Sequence, residues 1–172
     1  MSDTPAPEFS RMTDATRFDG KPVTIAANES ERAALATRFG LIWITELEAE
    51  VVLSPDDNAV LANGTLKASI VQTCAVSGDD LPVEIVEPLA LRFVPDTEAP
   101  TDEEEIELTE EELDEIPFTG RHFDLGEAVA QSLALAIDPY ATGPEADEVR
   151  KNGPLGDNEP SGPFAALAKL KK

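Results

Sequence analysis

Few residues of this chain could do chemistry, and the first is the single cysteine, Cys74. Three positions later stands Ser77, where a C-x-x-C motif would place its second cysteine. A zinc knuckle or a redox pair needs both thiolates, so one thiolate and one hydroxyl make a poor site. A lone cysteine also cannot form an internal disulfide, which fits a reducing compartment. We interpret Cys74 as a buried thiol that packs like a small hydrophobic side chain.

The only histidine, His122, lies in a strand-like stretch with no nucleophile motif beside it. A lone histidine satisfies none of the geometric requirements of an active site. No P-loop, dinucleotide-binding, G-x-S-x-G or H-E-x-x-H motif occurs. The acidic pairs at residues 56–57 and 79–80 lack the ligand spacing of a calcium loop and are typical of turns. The sequence therefore predicts no enzyme, no cofactor and no metal site.

Charge is the strongest signal, because 35 Asp and Glu face 13 Lys and Arg, for a net charge of -22. Twelve of the acids fall between Asp96 and Glu115, without one basic residue. An anionic surface repels nucleic acid, whose binding requires Lys and Arg to neutralise phosphates. It attracts cationic proteins instead. We predict a partner-binding strip, with plain solvation as the alternative, formed by Asp102, Glu103, Glu104, Glu105, Glu107, Glu110, Glu111 and Glu112.

The charge predicts a cationic protein as the partner, with no membrane involved. Two alternatives remain open. The first is direct RNA contact through a local basic patch of Arg11, Arg92, Arg121 and the C-terminal lysines. The second is a magnesium-dependent RNA-processing enzyme, which would need its carboxylates on rigid elements.

The elements that must position these residues begin with a strand at residues 22–26 and a helix from Glu29 to Phe39, capped by Asn28 or Ser30. A long strand follows from Leu41 to Leu53. Its apolar residues alternate with three glutamates, which predicts one buried face and one wet face. The buried face is predicted to contain Leu41, Trp43, Leu47, Ala49, Val51 and Leu53, and the wet face Glu46, Glu48 and Glu50.

Further strands are predicted at residues 59–62 and 65–73, separated by a tight turn at Asn63-Gly64, and then up to Phe93. Asp124 is predicted to cap a second helix, with Glu127 three residues later, and Pro139 to end it. The apolar stripe of this helix consists of Leu125, Val129, Leu133 and Ile137.

This order of elements predicts an α+β fold: a curled antiparallel sheet or open barrel of about six strands with two packed helices. We predict an N-terminal arm at 1–20, a single domain at 21–140 with a mobile acidic segment at 96–116, and a flexible C-terminal arm at 141–172 that ends in a short helix. Because neither a signal peptide nor a membrane span is evident, we expect a cytoplasmic protein.

Five segments, taken in order, carry a family resemblance: residues 8–11, 27–39, 64–74, 123–140 and 163–167. Together they resemble the YceD-like family, the large ribosomal RNA subunit accumulation proteins. The chain is most similar to the alphaproteobacterial type. The resemblance implies a bacterial cytoplasmic factor for large-subunit ribosomal RNA accumulation, linked to a small basic ribosomal protein and without enzymatic activity. Taken with the charge, it makes a basic large-subunit ribosomal protein or an rRNA-processing factor the expected partner. Many members have a C-x-x-C where this chain has Cys74 and Ser77.

Overall fold

The computed structural model describes residues 7–96 and 115–152. The chain divides into two compact units, one of Met1–Gln72 with Pro82–Asp138 and the other of Thr73–Leu81 with Pro139–Lys172. The described strands are β1 (Met12–Asp14), β2 (Pro22–Ala26), β3 (Trp43–Asp56), β4 (Ala59–Thr73), β5 (Asp80–Pro95), β6 (Glu115–Phe118) and β7 (His122–Asp124). The described helices are α1 (Glu29–Phe39), α2 (Leu125–Ala136) and α3 (Ala146–Asn152).

The strands form a five-stranded sheet in the order β2-β3-β4-β5-β6 and a two-stranded sheet of β1 and β7. β3 pairs antiparallel with both β2 and β4. β6 instead runs parallel to β5, with Arg92 opposite Glu115 and Pro95 opposite Phe118. The α+β prediction is confirmed, but the large sheet is mixed and is not closed into a barrel. The long connection between Pro95 and Glu115 gives the chain the length that a parallel crossover requires.

The turn predicted at Asn63-Gly64 is wrong, because both residues lie inside β4, opposite Val52 and Val51. A Cβ at Gly64 would lie 1.9 Å from the carbonyl oxygen of Glu50. The glycine therefore serves a close cross-strand approach rather than a turn. The reversal between β3 and β4 follows Asp56, at the acidic pair predicted to be a turn, and Asp57 has a positive φ of 52° there. One continuous strand, β4, replaces the two predicted at 59–62 and 65–73.

The predicted alternation in β3 holds except at its start. Leu47, Ala49, Val51 and Leu53 are buried as expected. A register shift between Ile44 and Glu46 reverses the alternation, so that Ile44 is buried while Trp43 is 48% exposed. The prediction that Trp43 faces the core is thus wrong, since a bulge moves every residue before it to the other face.

Both predicted helices are confirmed. Asn28 and Glu31 form a capping box at the start of α1, and Gly40 ends it in the left-handed conformation. The Asp124 side chain accepts a hydrogen bond from the Glu127 amide and caps α2. Leu125, Val129 and Leu133 on α2 are buried, whereas Ile137 is the C-cap residue that follows the helix.

One continuous core joins the buried face of the large sheet to both helices and to the β1–β7 pair. Phe9, within the predicted N-terminal arm, is completely buried in this core, and β1 follows it. α3 lies within the predicted C-terminal arm. The final short helix of that arm falls outside the described residues.

Candidate functional site

The eight acidic residues of the predicted partner-binding strip, 102–112, lie outside the described residues. The described residues show instead which of the other charged side chains form ion pairs. Many of its arginines are held in ion pairs within the fold, and these pairs decide which surfaces keep unbalanced charge.

Arg11 is the best-connected arginine. Its guanidinium donates to both oxygens of Glu31, at 2.7 and 2.8 Å, and to the carbonyl of Ala26 at 2.9 Å. The Arg11 amide donates to the Asp124 carboxylate at 2.7 Å. The hydrogen bond from Arg11 lowers the pKa of Glu31, whose carboxylate also accepts from the Asn28 amide. One residue thus connects the N-terminal segment to the caps of both long helices.

Arg38 forms a second such cluster. It donates to both oxygens of Glu127, at 2.8 and 3.0 Å, and to Glu8 at 2.9 Å. The Arg38 hydrogen bonds are the main reason that the pKa of Glu127 is lowered. A bidentate guanidinium–carboxylate pair fixes orientation as well as distance, so Arg38 ties the end of α1 to the start of α2.

Arg92 and Arg121 are also paired. Arg92 contacts Asp56 and donates to Glu115 at 3.0 Å. Arg121 lies 3.5 Å from Asp14. The arginines considered for a basic RNA-binding patch, Arg11 included, therefore each face at least one carboxylate. Paired arginines offer little net positive charge for counterion release.

No catalytic constellation appears in the described part of the chain. His122 is exposed on β7, opposite Asp14. Residues 7–96 and 115–152 contain no group of three His, Cys, Asp or Glu side chains that could hold a metal ion. Nor do the described helices include one with the length and hydrophobicity for a membrane span.

In the second unit, Cys74 is buried as predicted, at 4% exposure. Its Sγ accepts hydrogen bonds from the backbone amides of Ser77 and Gly143, both at 3.4 Å. The Ser77 side chain, followed by these backbone donors, lowers the pKa of the Cys74 thiol from 9.0 to about 6. Ser77, at the position of the missing second cysteine, thus acts as a hydrogen-bond donor to the sulfur.

We expect the ultraviolet absorbance of the Cys74 thiolate to appear with a midpoint near pH 6, measured against a Cys74→Ala baseline. Ser77→Ala should move this midpoint upward, because it removes the main donor. A depressed pKa contributes stability above the unfolded value that is lost as pH falls through the folded value. The free energy of unfolding should therefore rise between about pH 6 and 9 in wild type, but not in Cys74→Ala. A wild-type midpoint near 9 would contradict this assignment.

Sequence reasoning missed the Arg11 and Arg38 clusters. Arg11 and Asp124 are 113 residues apart, and Arg38 and Glu127 are 89 apart. The resemblance to the YceD-like family did include residues 8–11, 27–39 and 123–140, and the structure brings these three segments together through the two arginines. The signal that could have located the two clusters was the resemblance of these three segments to the family, although none of them contains a catalytic motif.

Comparison with curated proteins and with solved structures finds no match for this chain. Residues 62–171 match a family whose description is "Large ribosomal RNA subunit accumulation protein YceD". That description names the accumulation of an RNA and no reaction. The matched range covers more than half of the chain, and the chain therefore belongs to the YceD family of large ribosomal RNA subunit accumulation proteins.

Proposed function

We propose that this chain is a cytoplasmic, non-enzymatic ribosome-biogenesis factor that supports accumulation of the large-subunit ribosomal RNA. It does so by binding a basic ribosomal protein or rRNA-processing protein rather than the RNA. Family membership supports the link to this RNA. The mode of action rests on charge.

The observation that carries the proposal is the disposition of charge. The chain has a net charge of -22, and Arg11, Arg92 and Arg121 are each paired with carboxylates. RNA binding requires a contiguous basic surface. The carboxylates paired with these arginines reduce the positive charge available to form one. A basic protein is attracted instead, because the anionic field accelerates its association and disfavours competing polyanions.

In this proposal the acidic strip, Asp102 to Glu112, shields the cationic part of the partner until that partner meets its RNA. Exposed charges are screened beyond a Debye length of about 8 Å at physiological ionic strength. Binding should therefore be rapid and should weaken as salt is raised.

The test is capture of basic proteins from RNA-free, dissociated large ribosomal subunits by the tagged full chain at low and high salt. One variant has glutamine at Glu103, Glu104, Glu105, Glu110, Glu111 and Glu112, and a matched control has aspartate at the same six positions. The glutamine variant should lose capture and fail to restore large-subunit RNA levels in cells lacking the protein, whereas the aspartate control should retain both. Unchanged capture by the glutamine variant, or tight binding of the isolated protein to naked ribosomal RNA at physiological salt, would defeat the proposal.

A further inference from the structure

One face of the five-stranded sheet presents exposed acidic and apolar side chains. The opposite face forms the core, with Leu47, Ala49 and Val51 of β3 almost fully buried. The glutamates that alternate with these residues lie on the outer face, where Glu46 and Glu50 are exposed and Glu48 is half-buried. The two described helices of the same unit contribute to the core on the buried side. We call the outer surface of β3, β4 and β5 the open sheet face.

The open sheet face has an excess of negative charge. Glu84 of β5 joins the three glutamates of β3 and accepts a hydrogen bond from Ser69 of β4 at 2.6 Å. Lys67 of β4 lies opposite Glu48, between the glutamates of β3 and Glu84 of β5. Across residues 7–96 and 115–152, no ion pair includes Glu46, Glu48, Glu50 or Glu84. These carboxylates differ in this respect from Glu31 and Glu127, which are neutralised by arginines inside the fold.

Apolar side chains interrupt the acids on this face. Val86 of β5 is 66% exposed and Val52 of β3 is 38% exposed. A metal ion would gain nothing from valines, and RNA would be repelled by the glutamates. Lysine and arginine match both features, because their aliphatic stems cover apolar surface while their charged ends reach carboxylates. Charge and apolar exposure together therefore select a basic protein segment.

The spacing of the glutamates suggests the conformation of that segment. Alternate residues of a strand repeat at roughly 6.6–6.8 Å on one face. Glu46, Glu48 and Glu50 form such a row, and lysines at alternate positions of an extended peptide repeat at the same distance. We propose that the open sheet face is a docking surface for an extended Lys- and Arg-rich segment of a protein partner, an inference that rests on the proposed function and adds a rigid site to the acidic strip.

The test uses the full chain and a fluorescent synthetic peptide of alternating lysine and threonine, with Kd measured by anisotropy at low salt. The sheet variant combines Glu46→Gln, Glu48→Gln and Glu50→Gln. A matched control removes the same charge from exposed sites elsewhere through Asp57→Asn, Glu145→Gln and Glu148→Gln. The sheet variant should raise Kd about tenfold and the control less than about threefold, because close charge pairs contribute more than the general field. Lys67→Gln should change Kd in the opposite direction and tighten binding.

Equal Kd values for the sheet variant and its matched control would overturn this inference. A peptide with the same lysines in one block should bind the wild type more weakly than the alternating peptide, and stronger binding of the block would also overturn it. The same variants in the ribosomal-protein capture separate the two proposals. Loss of capture with the glutamine-substituted acidic strip but not with the sheet variant would leave the proposed function standing without this docking surface, whereas loss with neither would defeat both.

Discussion

Replacement of Phe123 by alanine is expected to lower the free energy of unfolding by about 3–5 kcal/mol, the range for deletion of a large buried aromatic side chain. Phe123 is 1% exposed. Its ring stacks on Phe93 with centroids 4.1 Å apart and lies 5.9 Å from the ring of Phe118. The truncation therefore removes the shared contact between β5, β6 and β7, and the strands around it cannot close the cavity without breaking their pairing.

Chemical denaturation followed by circular dichroism measures this loss. Met12→Ala is the control, because Met12 lies on β1, the partner strand of β7, but is 62% exposed. The control should change stability by no more than about 0.5 kcal/mol. A Phe123→Ala variant as stable as Met12→Ala would show that the three aromatic rings are not the centre of the core.

The parts of the fold that sequence reasoning predicted correctly depend on local signals. α1 has the predicted bounds, Glu29 to Phe39. Its cap Asn28 directly precedes the helix in the sequence, and Gly40, which ends it, directly follows. α2 was likewise predicted from Asp124 and the following glutamate. Strand β2 was found from its β-branched residues. In each case the chemistry that sets the boundary lies within a few residues of it.

The errors in the predicted fold come from non-local choices. Asn63-Gly64 is a strong hairpin signal, yet the neighbouring β3 is long enough to pair with residues on both sides of it, so the strand continues. The parallel β6 depends on which side of β5 the chain returns to after the acidic segment. The bulge before Glu46 adds one residue and reverses the face of Trp43. Pattern and propensity in a single strand contain no information on its partner.

The candidate sites were partly visible in the sequence. The wet face of Glu46, Glu48 and Glu50 was predicted, and its exposure is confirmed for Glu46 and Glu50, with Glu48 half-buried. The sequence could not show that these glutamates lack arginine partners within residues 7–96 and 115–152, because that depends on pairs such as Arg38 with Glu127 that only the tertiary fold creates. The acidic strip, 102–112, was assigned from composition alone and stays a prediction.

Gly126→Ala is expected to destabilise the protein by about 1–3 kcal/mol, the usual cost of forcing extra atoms into a packed site. Helix propensity predicts the opposite sign, because alanine within a helix is favoured over glycine by about 1 kcal/mol. Sterics should prevail here. A Cβ at Gly126 would lie 2.5 Å from the carbonyl oxygen of Phe9 and 2.9 Å from the amide nitrogen of Arg11. Both are backbone atoms, so no side-chain rotation can relieve the clash.

An alanine at position 126 would push the N-terminal segment away from the start of α2. This displacement would also break the hydrogen bonds that join the two. Arg11 donates to the Asp124 carboxylate at 2.7 Å, and Leu125 donates to the Arg11 carbonyl at 3.1 Å. Leu135→Ala is the control on the same helix, since Leu135 is 89% exposed and both residues favour helices. The control should stay within about 0.5 kcal/mol of wild type. A Gly126→Ala variant more stable than wild type would mean that the N-terminal segment does not pack against α2 in solution, because only then would helix propensity decide the sign.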